Sequence, residues 1–308
     1  MASLFNSLIL ISSLLLASSQ GVSSSVQLVK GLSWSFYEKT CPEAESIVRE
    51  HLKKVFQDDI GQAAGLLRLH FHDCFVQGYD ASVLLDGSAS EPSEQDAPPN
   101  RNLRRTALKI INDLRDLVER SVSGGPEYEV PLGRRDGLAS ASINEVTENL
   151  PSPAQSASQI LAALAKKSFD ATNVVALSGA HNIRLGHCGA FTDRLYPTPD
   201  PAMDKNFARD LKGVCPTTNS TNTRALDIRL PNRFDNRYFV NLVNRQGLFT
   251  SDQDLYEDPT TRDIVTSFAK DLELFFQKFV LAMTKMGQLG VLTGTEGEIR
   301  AHCSVRNS

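Results

Sequence analysis

Residues 68–80 read RLHFHDCFVQGYD, and this segment decides how the rest of the chain is read. Arg68 and His72 stand four residues apart, so on a helix they share one face, while His70 points elsewhere. Leu66, Leu67, Leu69, Phe71 and Phe75 surround them. Such neighbours predict a buried helix, and polar side chains on a buried helix need a chemical reason to be there. A fixed guanidinium beside a neutral imidazole suits taking a proton from a bound acid while charge on a neighbouring atom is stabilised. Without the apolar neighbours the same pair would read as a solvated helix face. Just beyond, Asp73, Asp80 and Ser82 offer side-chain oxygens, and Val76 and Gly78 offer carbonyls. Hard oxygen donors in one loop suit Ca2+, although the spacing is not that of an EF-hand and a turn held by Asp side chains fits equally.

Outward from this segment the periodicity stays helical. Cys41-Pro42 opens a helix with Ile47, Val48, Leu52, Val55 and Phe56 on one stripe, and 62–76 carries the next. Ile110, Ile111, Leu114, Leu117 and Val118 mark a third, running toward Gly124-Gly125-Pro126. A fourth follows Pro151-Ser152-Pro153 through Gln159, Ile160, Leu161 and Leu164. Asp170 is placed to cap a short helix that Gly179 stops. A helix near 235–245 should end at Gly247, Pro259 should begin another, and Asp271 precedes a long one through Phe275, Phe279 and Met286. Strand signals are confined to a short run at 128–132. The expected class is all-α.

The chain has 308 residues, 41% hydrophobic and 22% charged, with a net charge of −4. That length supports a large core, and the absence of any Lys/Arg block argues against nucleic acid as a partner. Leu8-Ile9-Leu10-Ile11 and Leu14-Leu15-Leu16-Ala17, followed by Ser18, Ser19 and Gly21, read as a secretory signal over residues 1–25, leaving 26–308 as one domain. No other apolar run is long enough to span a bilayer, so no membrane attachment is expected once the signal is removed. An oxidising compartment predicts paired cysteines. There are five, Cys41, Cys74, Cys188, Cys215 and Cys303, so at least one is left over. They are too scattered for a zinc site.

Six stretches resemble the class III secretory plant peroxidases, a family of haem enzymes. They are FYEKTCPEAESIVRE (36–50), LLRLHFHDCF (66–75), PLGRRDGLAS (131–140), VVALSGAH (174–181), FDNRYFVNLVNRQGLFTSDQDL (234–255) and LTGTEGEIRAHC (292–303). The resemblance implies a plant haem peroxidase fold, all-α, with haem b between distal and proximal helical halves. It implies H2O2 as oxidant and phenolic molecules as one-electron donors, for a monomer secreted to the cell exterior, wall or vacuole. His72 matches the distal base, Arg68 the residue that stabilises charge as the O–O bond breaks, and Asn100 the side chain that accepts a hydrogen bond from the distal His. Phe71 matches the ring that covers the haem, and Pro151 a position at the haem edge where aromatic donors dock. His181 matches the axial iron ligand and Asp252 the carboxylate that holds its Nδ1–H. Read alone, a His after Gly-Ala is more often structural.

The resemblance also implies two Ca2+ sites. Asp73, Val76, Gly78, Asp80 and Ser82 match the distal one, with Glu94 reaching it through water. Asn182, Asp227, Leu230, Arg233 (through its carbonyl) and Asp235 match the proximal one. Asn182 and Leu230 both stand where Thr is usual, so the proximal site is expected to be the weaker. Cys188 and Cys215 match one bridge, and Asn219-Ser220-Thr221 is an N-glycosylation sequon.

Two departures set this chain apart. The family has eight cysteines in four bridges, and here Tyr79 occupies the position of the partner of Cys74. Between Glu119 and Ser123, roughly twenty residues and one core helix are missing. With them go the usual partners of Cys41 and Cys303 and the acid that would pair with Arg134. Each lost bridge costs about 2–5 kcal/mol, and a whole domain is stable by only about 5–15 kcal/mol. A bridge between Cys41 and Cys303 is one expected response. Two readings compete with a working peroxidase: a secreted haem- or calcium-binding protein with little turnover, and a truncated splice or gene-model product.

Overall fold

The computed structural model describes residues 27–39, 44–88, 91–117, 130–231, 233–301 and 303–307. The expected signal segment, Cys41 and with it the expected pairing with Cys303, the glycines at 124–125 and the gap at 119–123 lie outside the described residues. Among the described residues the fold is all-α. Its helices are α1 (Ala44–Asp58), α2 (Gly61–Phe75), α3 (Arg105–Leu117), α4 (Ile143–Asn149), α5 (Ala157–Ala165), α6 (Ala171–Ser178), α7 (Lys205–Val214), α8 (Arg237–Val243), α9 (Thr250–Glu257), α10 (Arg262–Lys270) and α11 (Leu272–Met286).

No strand forms at 130–132. Leu132 makes a single antiparallel bridge to Ser33, because Pro131 has no N–H with which to extend a ladder. The ribbon present instead pairs β1 (Leu185–His187) with β2 (Thr223–Ala225), Leu185 opposite Ala225.

Helix boundaries depart from expectation where packing overrides local signals. Asp170 caps α6 by accepting from the Asn173 N–H at 2.8 Å, and the α-helix ends at Ser178 with Gly179 as its C-cap, as expected. A 3₁₀ turn, Gly179–Ile183, follows directly. Gly179 is glycine because a Cβ there would lie 2.5 Å from the Phe275 ring. α8 ends at Val243, and the left-handed residue after it is Arg245 (φ 60), not Gly247. At Gly247 a Cβ would meet Leu242 at 2.9 Å and the Gln253 backbone at 3.0 Å, so close approach explains that glycine. α10 begins at Arg262, after a turn in which Asp258 accepts from the Thr260 N–H, so Pro259 precedes the helix and does not open it. Asp271 caps α11 as expected, accepting from the Leu274 N–H at 2.9 Å.

The main core gathers Phe75 of α2, Val175 and Ala176 of α6, Phe239 of α8 and Phe275 of α11, all fully buried. Fully burying a side chain of this size contributes about 1.5–3 kcal/mol. A second cluster of Phe191, Leu195 and Leu211 surrounds the Cys188–Cys215 disulfide. A third, Leu69, Val83 and Leu103, lies under the distal segment. α2 packs against α3 and against the Gly179–Ile183 turn, which brings the two halves of the site to one place.

Candidate active site

α2 buries Leu69, His72 and Phe75, and the four-residue spacing puts Arg68 and His72 one turn apart on the same face. Asn100 fixes the imidazole. Its Nδ2 donates to the Glu94 carbonyl at 2.7 Å, so its Oδ1 must face the ring. His72 Nδ1–H donates to that oxygen at 2.6 Å, which leaves the lone pair on Nε2. Arg68 Nε–H points at this Nε2 from 3.2 Å. The guanidinium is held in turn by the Pro99 carbonyl at 2.8 Å and the Asn102 side-chain oxygen at 2.6 Å. Burial, and then the Arg68 charge, lower the His72 pKa to about 3 against the opposing Asn100 bond. Burial and Arg184 lower Arg68 to about 9, so it stays cationic at neutral pH. Phe71 packs 6.0 Å from the His72 ring and 4.5 Å from Phe75.

His181 lies in the 3₁₀ turn, half-buried, and its Nδ1–H donates to Asp252 Oδ1 at 2.7 Å. Asp252 comes from α9 and also accepts from the Tyr238 hydroxyl at 2.8 Å and the Phe249 N–H at 2.9 Å. Burial pushes this carboxyl up, but His181, the Phe249 N–H and the Tyr238 hydroxyl outweigh it and hold Asp252 below the usual carboxylate range. The rings of Tyr238 and Phe249 stand edge-on to His181 at 5.9 and 5.8 Å. Its Nε2 makes no hydrogen bond among the described residues. An imidazole with one nitrogen bound to a carboxylate and a free lone pair on the other is the donor arrangement of an axial metal ligand. On that ground the residues present fit a haem.

Arg184 follows three residues later. Its charge lowers the pKa values of Arg68 and His72, while burial lowers its own against the opposing charge of Asp252, so the two halves share one electrostatic neighbourhood. Sequence reasoning missed Arg184, Asn102 and Tyr238. Tyr238 lies in the quoted FDNRYF run, but only the packing of α8 beside α9 brings its hydroxyl to Asp252. Pro151 lies half-buried in the loop between α4 and α5, which is tied to α9 by the Ser251 N–H donating to the Pro153 carbonyl at 2.9 Å.

The distal loop after α2 turns sharply, with Gln77, Gly78 and Ala81 all at positive φ. Gly78 (φ 96) has no alternative, since a Cβ would sit 2.5 Å from the Gly290 carbonyl oxygen. Asp73, Asp80 and Glu94 are all buried here. Asp80 Oδ1 accepts from the Ser82 hydroxyl at 2.6 Å and the Ser82 N–H at 3.0 Å. Glu94 Oε1 accepts from the Ala141 N–H at 2.6 Å. Asp73 Oδ1 and Glu94 Oε2, however, are buried with no hydrogen-bond partner. Among the described residues no three His, Cys, Asp or Glu side chains group as a ready cage, and the loop would draw on carbonyls and a hydroxyl as well. Buried acid oxygens without donors fit a hard cation at this loop.

The proximal set is different. Asn182 Nδ2 donates to Asp227 Oδ2 at 3.1 Å and to Asp235 Oδ1 at 3.2 Å, while its Oδ1 accepts from the Asp235 N–H at 2.8 Å. Asp227 also accepts from Asn241 at 2.7 Å and from the backbone N–H groups of Arg229 and Leu230 at 2.9 and 3.2 Å. The Leu230 carbonyl accepts from the Arg233 N–H at 3.0 Å. The amide nitrogen thus bridges the two carboxylates, the place a cation would take. It offers hydrogens where lone pairs are needed, so these residues do not fit Ca2+ as arranged.

Of the cysteines, Cys188 and Cys215 are bonded to each other. Cys74 is a buried thiol whose pKa burial, and then Asp73, push well up, so it is unreactive. Tyr79 packs edge-on to His70 at 4.7 Å, filling with a ring the space beside Cys74.

Comparison with known proteins places this geometry. The family model described as Peroxidase matches residues 48–271. Peroxidase 12 of Arabidopsis thaliana is 56% identical over 301 positions, covering 91% of this chain and 84% of that protein. The cationic peroxidase SPC4 of Sorghum bicolor is 51% identical over 302 positions, covering 91% and 83%. Of 308 residues, 91% is about 280, against an alignment of 301, so about twenty positions of the Arabidopsis relative face gaps in this chain. That is the size of the gap read from the sequence. The matches run through both halves of the site, and the chain belongs to the class III plant peroxidases and reduces H2O2.

Proposed function

We propose that this chain is a secreted peroxidase that reduces H2O2 with His72 and Arg68 and oxidises phenolic donors one electron at a time. The observation that carries the reading is the fixed tautomer: Asn100 holds the proton on His72 Nδ1, so Nε2 is unprotonated and accepts from Arg68 Nε. His181 and Asp252 would hold the haem, which supplies the iron that engages peroxide and the electrons that reduce it. His72 Nε2 accepts a proton from H2O2, and the Arg68 charge stabilises the negative oxygen that results. His72 then returns the proton to the departing oxygen, which leaves as water. Asp252 keeps His181 oriented and electron-rich. Phe71 excludes water beside His72, and Pro151 lies where an aromatic donor would dock.

Reconstitution with haem and titration with H2O2 tests this reading. Stoichiometric peroxide consumption with guaiacol as donor supports it, and a haem-loaded protein that consumes none overturns it. Nothing in the arrangement of these residues favours a purely binding role. No described helix is long and apolar enough to cross a membrane.

His72 at about 3 makes a pH prediction. The residue acts as a base, so activity needs its neutral form. A pKa below the ordinary value of about 6.5 keeps that form present as pH falls, until the pH reaches the folded pKa. The rate with H2O2 should therefore stay flat from pH 7 to about 5 and decline only toward 3. A midpoint near 6.5 would contradict the burial argument.

The calcium complement follows from the two loops. The distal loop, with Asp73 Oδ1 and Glu94 Oε2 unpartnered, takes one Ca2+, and the proximal set, bridged by Asn182, takes none. Atomic emission on purified protein should find one calcium per chain, and Asn182→Thr should raise it to two by replacing amide hydrogens with a hydroxyl oxygen. Two calcium ions in the unaltered protein would show that the amide turns aside.

A further inference from the structure

The face of α2 opposite Arg68 and His72 borders a cavity of about 500 Å3. That is the size of a small-molecule pocket, typically about 300–1,000 Å3. Leu66 and Leu67 of α2 form one wall, and Phe279 and Met283 of α11 form another. The polar end holds His70, Tyr79 and Arg134. The cavity opens between α2 and α11, with Val130 and Pro131 at its edge.

Arg134 is the group that calls for a ligand. Its Nε donates to the Gly287 carbonyl at 2.7 Å, Nη2 donates to the same carbonyl and Nη1 to that of Pro131. Its guanidinium carbon sits 4.9 Å from the centre of the Tyr79 ring. These bonds use three of its five N–H groups, and no carboxylate pairs with it among the described residues. Burial and the neighbouring Arg134 lower His70 to about 4, so His70 is neutral and Arg134 is the cation at this end. Burial lowers the Arg134 pKa, and Asp73 acts on it without a direct ion pair, so a cation bonded directly only to carbonyls would gain from a carboxylate in contact. The walls beyond it are hydrocarbon and favour an apolar chain.

We propose that this cavity binds an apolar monocarboxylate of medium chain length, with its carboxylate on Arg134 and its chain between α2 and α11. The site is separate from the peroxide-cleaving face, since residues 66, 67 and 70 lie on the opposite side of α2 from residues 68 and 72.

Calorimetric titration of the haem-loaded protein with decanoate, and in parallel with 1-decanol, tests the assignment. Decanoate should bind one-to-one and about tenfold or more tighter than the alcohol, the difference a charge-assisted bond supplies. The haem absorption band should not move. Arg134→Gln should erase the preference for the acid, Arg134→Lys should keep most of it, and Ala63→Phe should fill the cavity and abolish binding of both. Each variant is checked for an intact haem band, so a folding failure is seen as such. Equal affinity for acid and alcohol, or an Arg134→Gln protein that still prefers decanoate, overturns the proposal. So does a protein that takes up no decanoate, including one that dimerises over the cavity mouth. A decanoate-induced shift of the haem band would place the ligand at the haem instead and overturn it too.

Discussion

Replacing His72 by alanine is expected to lower the rate of reaction with H2O2 by about 10³-fold, within the 10²–10⁴ that a positioned base contributes. Haem binding should be unaffected, because the proposed ligand is His181 on another element. The size of the loss follows from how completely the ring is prepared. Asn100 fixes the tautomer, Arg68 meets the free nitrogen at 3.2 Å, and burial keeps the imidazole neutral. No nearby side chain is placed to substitute, since His70 lies on the opposite face of α2 beside Cys74 and Tyr79. Arg68→Leu should cost about 10²–10³, the usual loss on removing one preorganised stabiliser of developing charge. Stopped-flow measurement of peroxide consumption at pH 7 reads both. A His72→Ala protein that kept more than a tenth of the rate would remove His72 from the mechanism.

The second large effect is expected at Asp252. This carboxylate is buried and accepts from His181, Tyr238 and Phe249. Asp252→Ala leaves three donors without an acceptor, each costing about 1–3 kcal/mol where water cannot reach it. It also frees the His181 ring to rotate. Losing a partner of this kind typically costs 10- to 100-fold in metal affinity or activity. Asp252→Ala protein should therefore lose haem on gel filtration and unfold at a lower temperature than the parent. Tyr238→Phe removes one donor only and should retain haem. Asp252→Asn keeps the shape but not the charge, so it should bind haem with a weakened push from His181. If Asp252→Ala matched the parent in both haem retention and unfolding, the His181–Asp252 pair would have no part in holding the cofactor.

Much of this site is legible because helices repeat. The four-residue spacing of Arg68 and His72 fixes a shared face whatever else the chain does, and Asp170 and Asp271 cap their helices as their positions suggest. The boundaries that failed did so where a distant residue decides. Gly247 reads as a helix end, yet its smallness answers to Leu242 and the Gln253 backbone. Pro259 reads as a helix start, yet a turn held by Asp258 intervenes. α9 carries a weak local signal and α4 is only seven residues long, but α7 was missed although Asp204 caps it, accepting from the Phe207 N–H at 2.9 Å, and Phe207, Ala208 and Leu211 line one buried face.

By itself, then, the sequence determined the family, the helical class and the faces on which the reactive side chains stand, because these depend on local backbone geometry and on long matching stretches. The pairing of His181 with Asp252, 71 residues apart, came from resemblance and acquired its distance only from the fold. Tertiary structure alone decided three further things. The Tyr238 hydroxyl completes the acceptor set of Asp252. The Asn182 amide bridges Asp227 and Asp235, where the sequence suggested only a weakened ligand. Arg134, which pairs with no carboxylate among the described residues, lines a cavity that no spacing announces. Each joins groups far apart in the chain, and such contacts are set by how helices pack and by which buried polar atoms find partners.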